Sequence, residues 1–422
     1  MFYKILQRTV RIYLRFYFKK LYFNRIDDIQ DDTPVLIACN HNSAFADALV
    51  LGSFLSKLEM HYIVRGDVFN PKMLWFFKLT NQIPIFRFRD GYGNMKKNND
   101  TMTYCYEALS NKQRIIIFSE GDCSVKMRLR TIQKGTARMA FGAYEKYKME
   151  DILIYPVGIN YIEPTKMRSS VIVHSGDPIH VNQYYATYNE NPNKAIKELT
   201  EEIQRRMVDQ VLSIEDEQTH DEARKAIQYI DSSFMAPLLA LKQNDSFFRH
   251  VQQWIQLHNE QIRSGNEEWA TTLQSWVKNM KKHYIRTRLP LFLENLTTQS
   301  ILCVILLPIG LPAVLYFGIP HWLSKALVKR MKVSPEFTNS IRIGSSFFFL
   351  IFQMLITFLI IGITIKWKFG LFFLILASLI AKIGQIWWHA FHYVLQRYNW
   401  HRMGESLQKV TISQLQKLHL SK

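Results

Sequence analysis

The chain has 422 residues, 48% of them apolar and 21% charged, with a formal net charge of +18. That length holds two or three domains with ample apolar material for a core, and the excess of Lys and Arg calls for an anionic partner. No nucleic-acid motif stands out and the basic residues flank long apolar runs, which excludes nucleic acid in favour of an anionic membrane surface; the four cysteines, Cys39, Cys105, Cys123 and Cys303, lack metal-ligand or redox spacing and read as thiols of a reducing compartment.

Residues 1–26 open the chain. Lys4, Arg8, Arg11, Arg15 and Lys19 recur every three or four positions among Phe, Leu, Ile and Tyr, which predicts an amphipathic interfacial helix. The basic residues interrupt every apolar stretch that a signal peptide would need. The competing reading is a basic helix packed on the next domain.

Residues 27–212 follow an acidic turn at Asp27–Asp32 and alternate between strand and helix. Strands are predicted at Pro34–Cys39, Tyr62–Arg65, Pro84–Phe86, Arg114–Phe118, Ile152–Tyr161 and Val171–His174, with helices near Ala44–Leu55, Pro71–Leu79, Asn94–Leu109 and Thr136–Tyr147. Such alternation specifies an α/β domain, a mainly parallel or mixed sheet with helices on both faces, whose active groups collect in the loops after the strand ends.

The first such loop is Ala38-Cys39-Asn40-His41-Asn42-Ser43-Ala44-Phe45-Ala46-Asp47. Ser43 is a good N-cap, so His41 falls in the loop and Asp47 one turn into the helix, where imidazole and carboxylate can converge. An imidazole held by a carboxylate takes the proton from an alcohol as that alcohol attacks a thioester, and no Ser or Cys nucleophile is needed. Alone, a His and an Asp six residues apart are more often a capping contact.

Further along, Ile83-Pro84-Ile85-Phe86-Arg87 ends in an arginine whose planar guanidinium suits a phosphate, with Arg89 two residues on. Glu120 and Gly121 follow the apolar run Ile115–Phe118. Arg128, Arg130 and Lys134 then precede a helix start at Gly135 and Thr136, which reads as an anion site or as a solvated basic loop. Pro156-Val157-Gly158 closes a last strand motif.

The blocks around His41 and Asp47, Ile83–Arg87, Ile117–Gly121 with Lys134–Ala137, and Ile154–Val157 resemble, in order and spacing, the four sequence blocks of the glycerolipid acyltransferases. The resemblance covers residues 30–180. It implies His41 as general base, Asp47 as its orienting carboxylate, Arg87 on the acceptor's phosphate, and Glu120 with Gly121 in the acceptor site. The family's usual third-block arginine is absent, and Arg130 and Lys134 are candidates to replace it. Five residues between His41 and Asp47, instead of four, look like a fungal-type glycerol-3-phosphate acyltransferase subgroup. The expected reaction moves a fatty acyl chain from acyl-CoA or acyl carrier protein to a glycerophosphate-type acceptor in phospholipid biosynthesis. The expected acceptor is 1-acylglycerol 3-phosphate, with glycerol 3-phosphate as the alternative and a non-catalytic membrane scaffold as the rival of another class. No metal or organic cofactor is implied.

Residues 213–294, rich in Gln, Glu, Lys and Trp at helical spacing, read as a helical arm. Residues 295–396 read as a membrane domain: Ile343–Ile365 is 23 uncharged residues, Phe369–Phe391 is marred only by Lys382, and Asn295–Ser324 carries Pro308 and Pro312 near its middle. Positive charge at 325–342 and in the basic tail at 397–422 predicts both to be cytoplasmic, so Asn295–Ser324 is expected to re-enter and the next two segments to span. The expected location is the cell membrane with the catalytic domain on the cytoplasmic side.

Overall fold

The computed structural model describes residues 2–23, 33–54, 59–66, 72, 74–86, 98–230, 245–283 and 296–420. The chain divides into two compact units, one of Met1–Pro164, Arg168–Ser213 and Leu241–Phe248, the other of Thr165–Met167, Ile214–Ala240 and Arg249–Lys422.

In the first unit, β2 (Val35–Cys39) is buried at every residue, as a continuous apolar run covered on both faces should be. It runs parallel to β5 (Arg114–Phe118) on one side and to β6 (Leu153–Tyr161) on the other. Beyond β5, β3 (Met60–Arg65) and β4 (Gln82–Ile85) continue the parallel pairing. Beyond β6 the sheet turns antiparallel through β7 (Ser170–Ser175), while β8 (Ile179–His180) also pairs with β6. The result is the mixed, mainly parallel α/β sheet that the alternation predicts. Helices α2 (Ala44–Phe54), α3 (Leu74–Leu79), α4 (Asn98–Ser110), α5 (Gly135–Tyr147), α6 (Tyr185–Glu190) and α7 (Pro192–Val208) connect or follow the strands. Leu36, Ala38, Ile115 and Ile117 form one core with Ala137, Ala140 and Phe141 of α5 and Leu199 and Ile203 of α7.

The N-terminal helix is shorter than residues 1–26. Helix α1 (Phe2–Tyr17) stops where Arg168 Nη1 donates to the carbonyls of Phe16 (3.2 Å) and Phe18 (2.8 Å). The chain then enters the sheet as β1 (Lys20–Phe23), parallel to β7 from Lys20↔Ser170 to Phe23↔Val173. The helical stripe of charges carries no trace of this, because an edge strand is specified by a partner 150 residues away in sequence. Helix α1 packs on α2, with Val10 and Leu14 buried and Gln7 Nε2 donating to the Gly52 carbonyl at 2.7 Å. Ile5 and Ile12 stay more than half exposed beside exposed Lys4, Arg8 and Arg15, so the helix is packed on the domain and still presents a basic and apolar outer face.

The second unit is helical. Its arm consists of α8 (His220–Ile230), the bulk of α9 (Asp245–Arg263) and α10 (Glu267–Lys282). Two apolar helices, α11 (Leu296–Ile305) and α12 (Leu307–Met331), meet at a bend of 76°. The break falls at Leu306, ahead of the expected Pro308 and Pro312. Pro308 occupies the first turn of α12, where its missing N–H costs nothing, and Pro312 is carried inside the helix. A bend of this kind fits a broken span and a re-entrant loop alike. Helix α13 (Pro335–Ile361) lies against α12, with Tyr316 Oη 2.6 Å from Thr357 Oγ1 and Gln353 Nε2 donating to the Tyr316 carbonyl at 2.9 Å.

Residues Pro335–Arg402 are helical almost throughout and long and apolar enough to cross a membrane, but they are not one straight rod. Lys366 is extended (φ −171°, ψ 146°), and a Cβ on Gly370 would lie 3.1 Å from the Phe358 carbonyl oxygen. An unbroken helix would hold those two residues about 18 Å apart along its axis. The chain therefore folds back before α14 (Trp367–Arg402), which crosses α12 where Gly310 faces Trp387 and Gly384 faces Ala313, a small-residue contact that lets helices approach closely. The outside of these helices is apolar: Val304 is 72%, Phe348 65% and Ile375 74% exposed. Residues 397–422 do not form a separate tail. Helix α14 runs through Arg402, and α15 (Glu405–Lys417) lies on the arm, where Trp254 Nε1 donates to the Leu418 carbonyl at 2.9 Å and Lys417 pairs with Glu268 at 2.7 Å.

Candidate active site

Register places the site. Cys39 pairs with Phe118 across β2 and β5, and with Val157 across β2 and β6, so the loops leaving β2 and β5 emerge side by side at the C-terminal edge of the sheet. Asn40 extends the ladder by one step with its side chain: its Oδ1 accepts from Ile159 N at 2.7 Å and its Nδ2 donates to the Ile159 carbonyl at 3.0 Å. The loop is thereby pinned just before His41.

His41 Nδ1 is 2.8 Å from Asp47 Oδ2. The same oxygen accepts from Asn42 N and Ser43 N, both at 2.9 Å, so the carboxylate at the start of α2 reaches back and gathers the loop around the imidazole. Asp47 is fully buried, while the His41 side chain keeps 15% exposure. Because the carboxylate can only accept, Nδ1 carries the proton, and in the neutral imidazole this leaves the lone pair on Nε2. The Phe118 ring stacks on the imidazole at 4.0 Å and 13° and fixes its plane. Ala44, the first residue of α2, has φ +39°, a strained value for alanine at the turn that sets this geometry.

Glu120 stands two residues beyond β5, and its two oxygens are engaged by the chain itself. One accepts from Arg130 N at 2.8 Å; the other accepts from His41 N at 3.0 Å and from Arg130 Nη2 at 2.9 Å. With its side chain 2% exposed, this carboxylate ties the His41 loop to the Arg130 loop. Gly121 has φ +75° and turns the chain in a conformation that a side chain would strain. Arg130 also donates to the Asp122 carbonyl, and its side chain remains 31% exposed. Lys134 is exposed at the N-cap of α5, whose first turn is held to the end of β5 by a 2.9 Å contact between Ser119 Oγ and Thr136 Oγ1. The structure thus brings His41, Asp47, Glu120, Gly121 and Arg130 into one network and places Lys134 at its rim. Arg87 and Arg89 lie outside the described residues.

Two thiols adjoin the pair. Burial pushes the Cys123 thiol up to about 12, with Asp47 adding to the effect, and burial raises Cys39 well above its ordinary value. Both therefore stay protonated thiols at neutral pH. Sequence reasoning did not find Asn40, Phe118 or Tyr161, whose hydroxyl is buried beside Asp47. An asparagine directly after a five-residue apolar strand was the one available signal. Among the described residues no group of three or more His, Cys, Asp or Glu side chains is arranged to hold a metal ion.

Residues 20–160 match the protein family described as Acyltransferase. Glycerol-3-phosphate O-acyltransferase 1 of Saccharomyces cerevisiae is 32% identical over 117 residues, 27% of this chain and 15% of that protein. Glycerol-3-phosphate O-acyltransferase 2 of the same yeast is 28% identical over 113 residues, 26% of this chain and again 15% of the relative, so the matched stretch spans a small part of either yeast protein. Among solved structures, the 1-acyl-sn-glycerophosphate acyltransferase of Thermotoga maritima aligns over 48% of this chain and 79% of its own, with a TM-score of 0.33 and 16% identity. The stretch matched by the Acyltransferase family, residues 20–160, contains His41, Asp47, Glu120, Gly121, Arg130 and Lys134, so the part of the chain that builds the site is the part that is similar to acyltransferases.

Proposed function

We propose that this protein is a membrane-bound O-acyltransferase that moves a fatty acyl chain from a thioester to a hydroxyl of a glycerol phosphate. The observation that carries this reading is the 2.8 Å contact between His41 Nδ1 and buried Asp47 at the end of β2, which leaves Nε2 free to act as a base. In the proposed step, Nε2 takes the proton of the acceptor hydroxyl as its oxygen attacks the thioester carbonyl. The new C–O bond forms, the C–S bond breaks, and the leaving thiolate receives the proton from His41. Glu120 holds the His41 backbone in register. Arg130 and Lys134, with Arg87 on sequence grounds, are assigned to the acceptor's or donor's phosphates.

The five-residue interval from His41 to Asp47 and the names of both yeast relatives favour glycerol 3-phosphate as the acceptor over the 1-acylglycerol 3-phosphate expected from the sequence. The donor is acyl-CoA or acyl carrier protein. The exposed apolar helices α11–α14 support residence in a bilayer, with the α/β unit on the cytoplasmic side where such thioesters are made. The test is free-thiol release by the purified full-length protein with one acyl-CoA and a panel of acceptors. Release dependent on glycerol 3-phosphate supports the reading; release only with 1-acylglycerol 3-phosphate moves the assignment to the second acceptor. Silence with every acceptor, using both donors, restores the scaffold reading.

A further inference from the structure

Asp47 has two oxygens, and the three donors described above all meet Oδ2. Oδ1 is buried and has no partner within bonding geometry. The same is true of the Tyr161 hydroxyl at the end of β6. Register explains why the two are neighbours: Val157 pairs with Cys39, Ile159 is pinned by Asn40, and Tyr161 follows two residues on, level with the loop that carries the pair. Asp47 is the charged group that bears most strongly on the Tyr161 hydroxyl. A buried carboxylate oxygen facing a buried phenol, each otherwise unmatched, is a costly arrangement unless the two bond to each other.

We propose that Tyr161 is a positioning residue of the acyltransferase site, donating its hydroxyl proton to Asp47 Oδ1 and so fixing the carboxylate that orients His41. Burial, reinforced by Asp47, raises the tyrosine well above its ordinary range, so it keeps its proton and serves as a donor at every working pH. The ring is held from behind by Phe18, 6.1 Å away between centroids and itself buried just past the end of α1. The element with the basic and apolar outer face therefore ends against the residue that sets the carboxylate.

The role rests on the acyl-transfer reading, and its test is chosen to survive without it. Tyr161→Phe keeps the ring and removes the donor. The variant should lose about tenfold in kcat with KM nearly unchanged, the scale of one hydrogen bond to a charged group. The acidic limb of its kcat/KM profile should move to higher pH, because a carboxylate relieved of a donor favours the protonated imidazole more strongly. In an Asp47→Asn background the same change should have no further effect; a loss by the same factor there would mark a packing role and overturn the proposal. Modification of His41 by diethyl pyrocarbonate, followed by peptide mass spectrometry across pH, needs no substrate. Its midpoint should rise in Tyr161→Phe, and an unchanged midpoint would overturn the proposal whether or not the protein transfers acyl groups.

Discussion

At the scale of single residues, two carboxylates that look alike in the sequence make different contacts in the site. In the proposed reaction Asp47 orients His41 as the base, whereas Glu120 accepts from the backbone N–H of His41. His41→Ala should therefore abolish thiol release while leaving the fold intact, since the imidazole is partly exposed and nothing else in the loop hangs on its ring nitrogens; general-base loss costs on the order of a hundredfold to ten-thousandfold. Turnover close to wild type would remove His41 from the mechanism. Asp47→Asn should lower kcat by about a hundredfold and KM little, because an amide at this position no longer fixes the tautomer. Parallel steady-state measurements against both donor and acceptor separate the two effects.

At the scale of elements, the arm carries a titratable group that the mechanism does not use. His258 is fully buried; its Nδ1 accepts from Trp269 Nε1 at 3.0 Å and its Nε2 lies 3.1 Å from Thr219 Oγ1, which donates to Asp216 Oδ2 at 2.6 Å. Indole only donates, so Nδ1 must be bare and the imidazole neutral. Burial lowers its pKa from 6.5 to about 4. Between these values the unfolded chain binds a proton that the folded arm refuses, so the stabilisation is complete above pH 6.5 and is lost as pH falls towards 4, by on the order of 3 kcal/mol. Trp254 stacks on this imidazole and donates to the Leu418 carbonyl, which ties α15 to the same event. Thermal melts at pH 7 and pH 4.5 should show a larger loss for the wild type than for His258→Gln. Equal losses would place the acid-sensitive group elsewhere.

At the scale of the whole molecule, the proposed residence in a bilayer would give both the net charge of +18 and the exposed apolar helices one environment. The basic stretch at 325–342 and the basic residues after Arg397 should share one side of the bilayer, with the turn at Lys366 and Trp367 on the other. Single cysteines placed at Ser334 and Trp367, in a background without native cysteines, report this in intact cells. An impermeant thiol reagent should label position 367 and spare position 334. Labelling of position 334 would mean that α11 and α12 together cross the membrane once.

What the sequence determined by itself is what short-range spacing can encode. The alternation of strand and helix, the buried β2 and β5, the loop carrying His41 and the apolar C-terminal helices all follow from periodicities of two to four residues and from turn chemistry. The tertiary structure decided the partners. Glu120 meets a backbone N–H 79 positions away, and Asn40 meets Ile159 across 119 positions. Residues 20–23 become a strand only because the edge of β7 is there to receive them, and the basic C-terminal segment becomes a packed helix only because the arm offers Trp254 and Glu268. A side chain's type sets which bonds it can make; its place in the sheet decides which of them it does make, because a buried donor or acceptor must be satisfied by whatever the fold brings within reach.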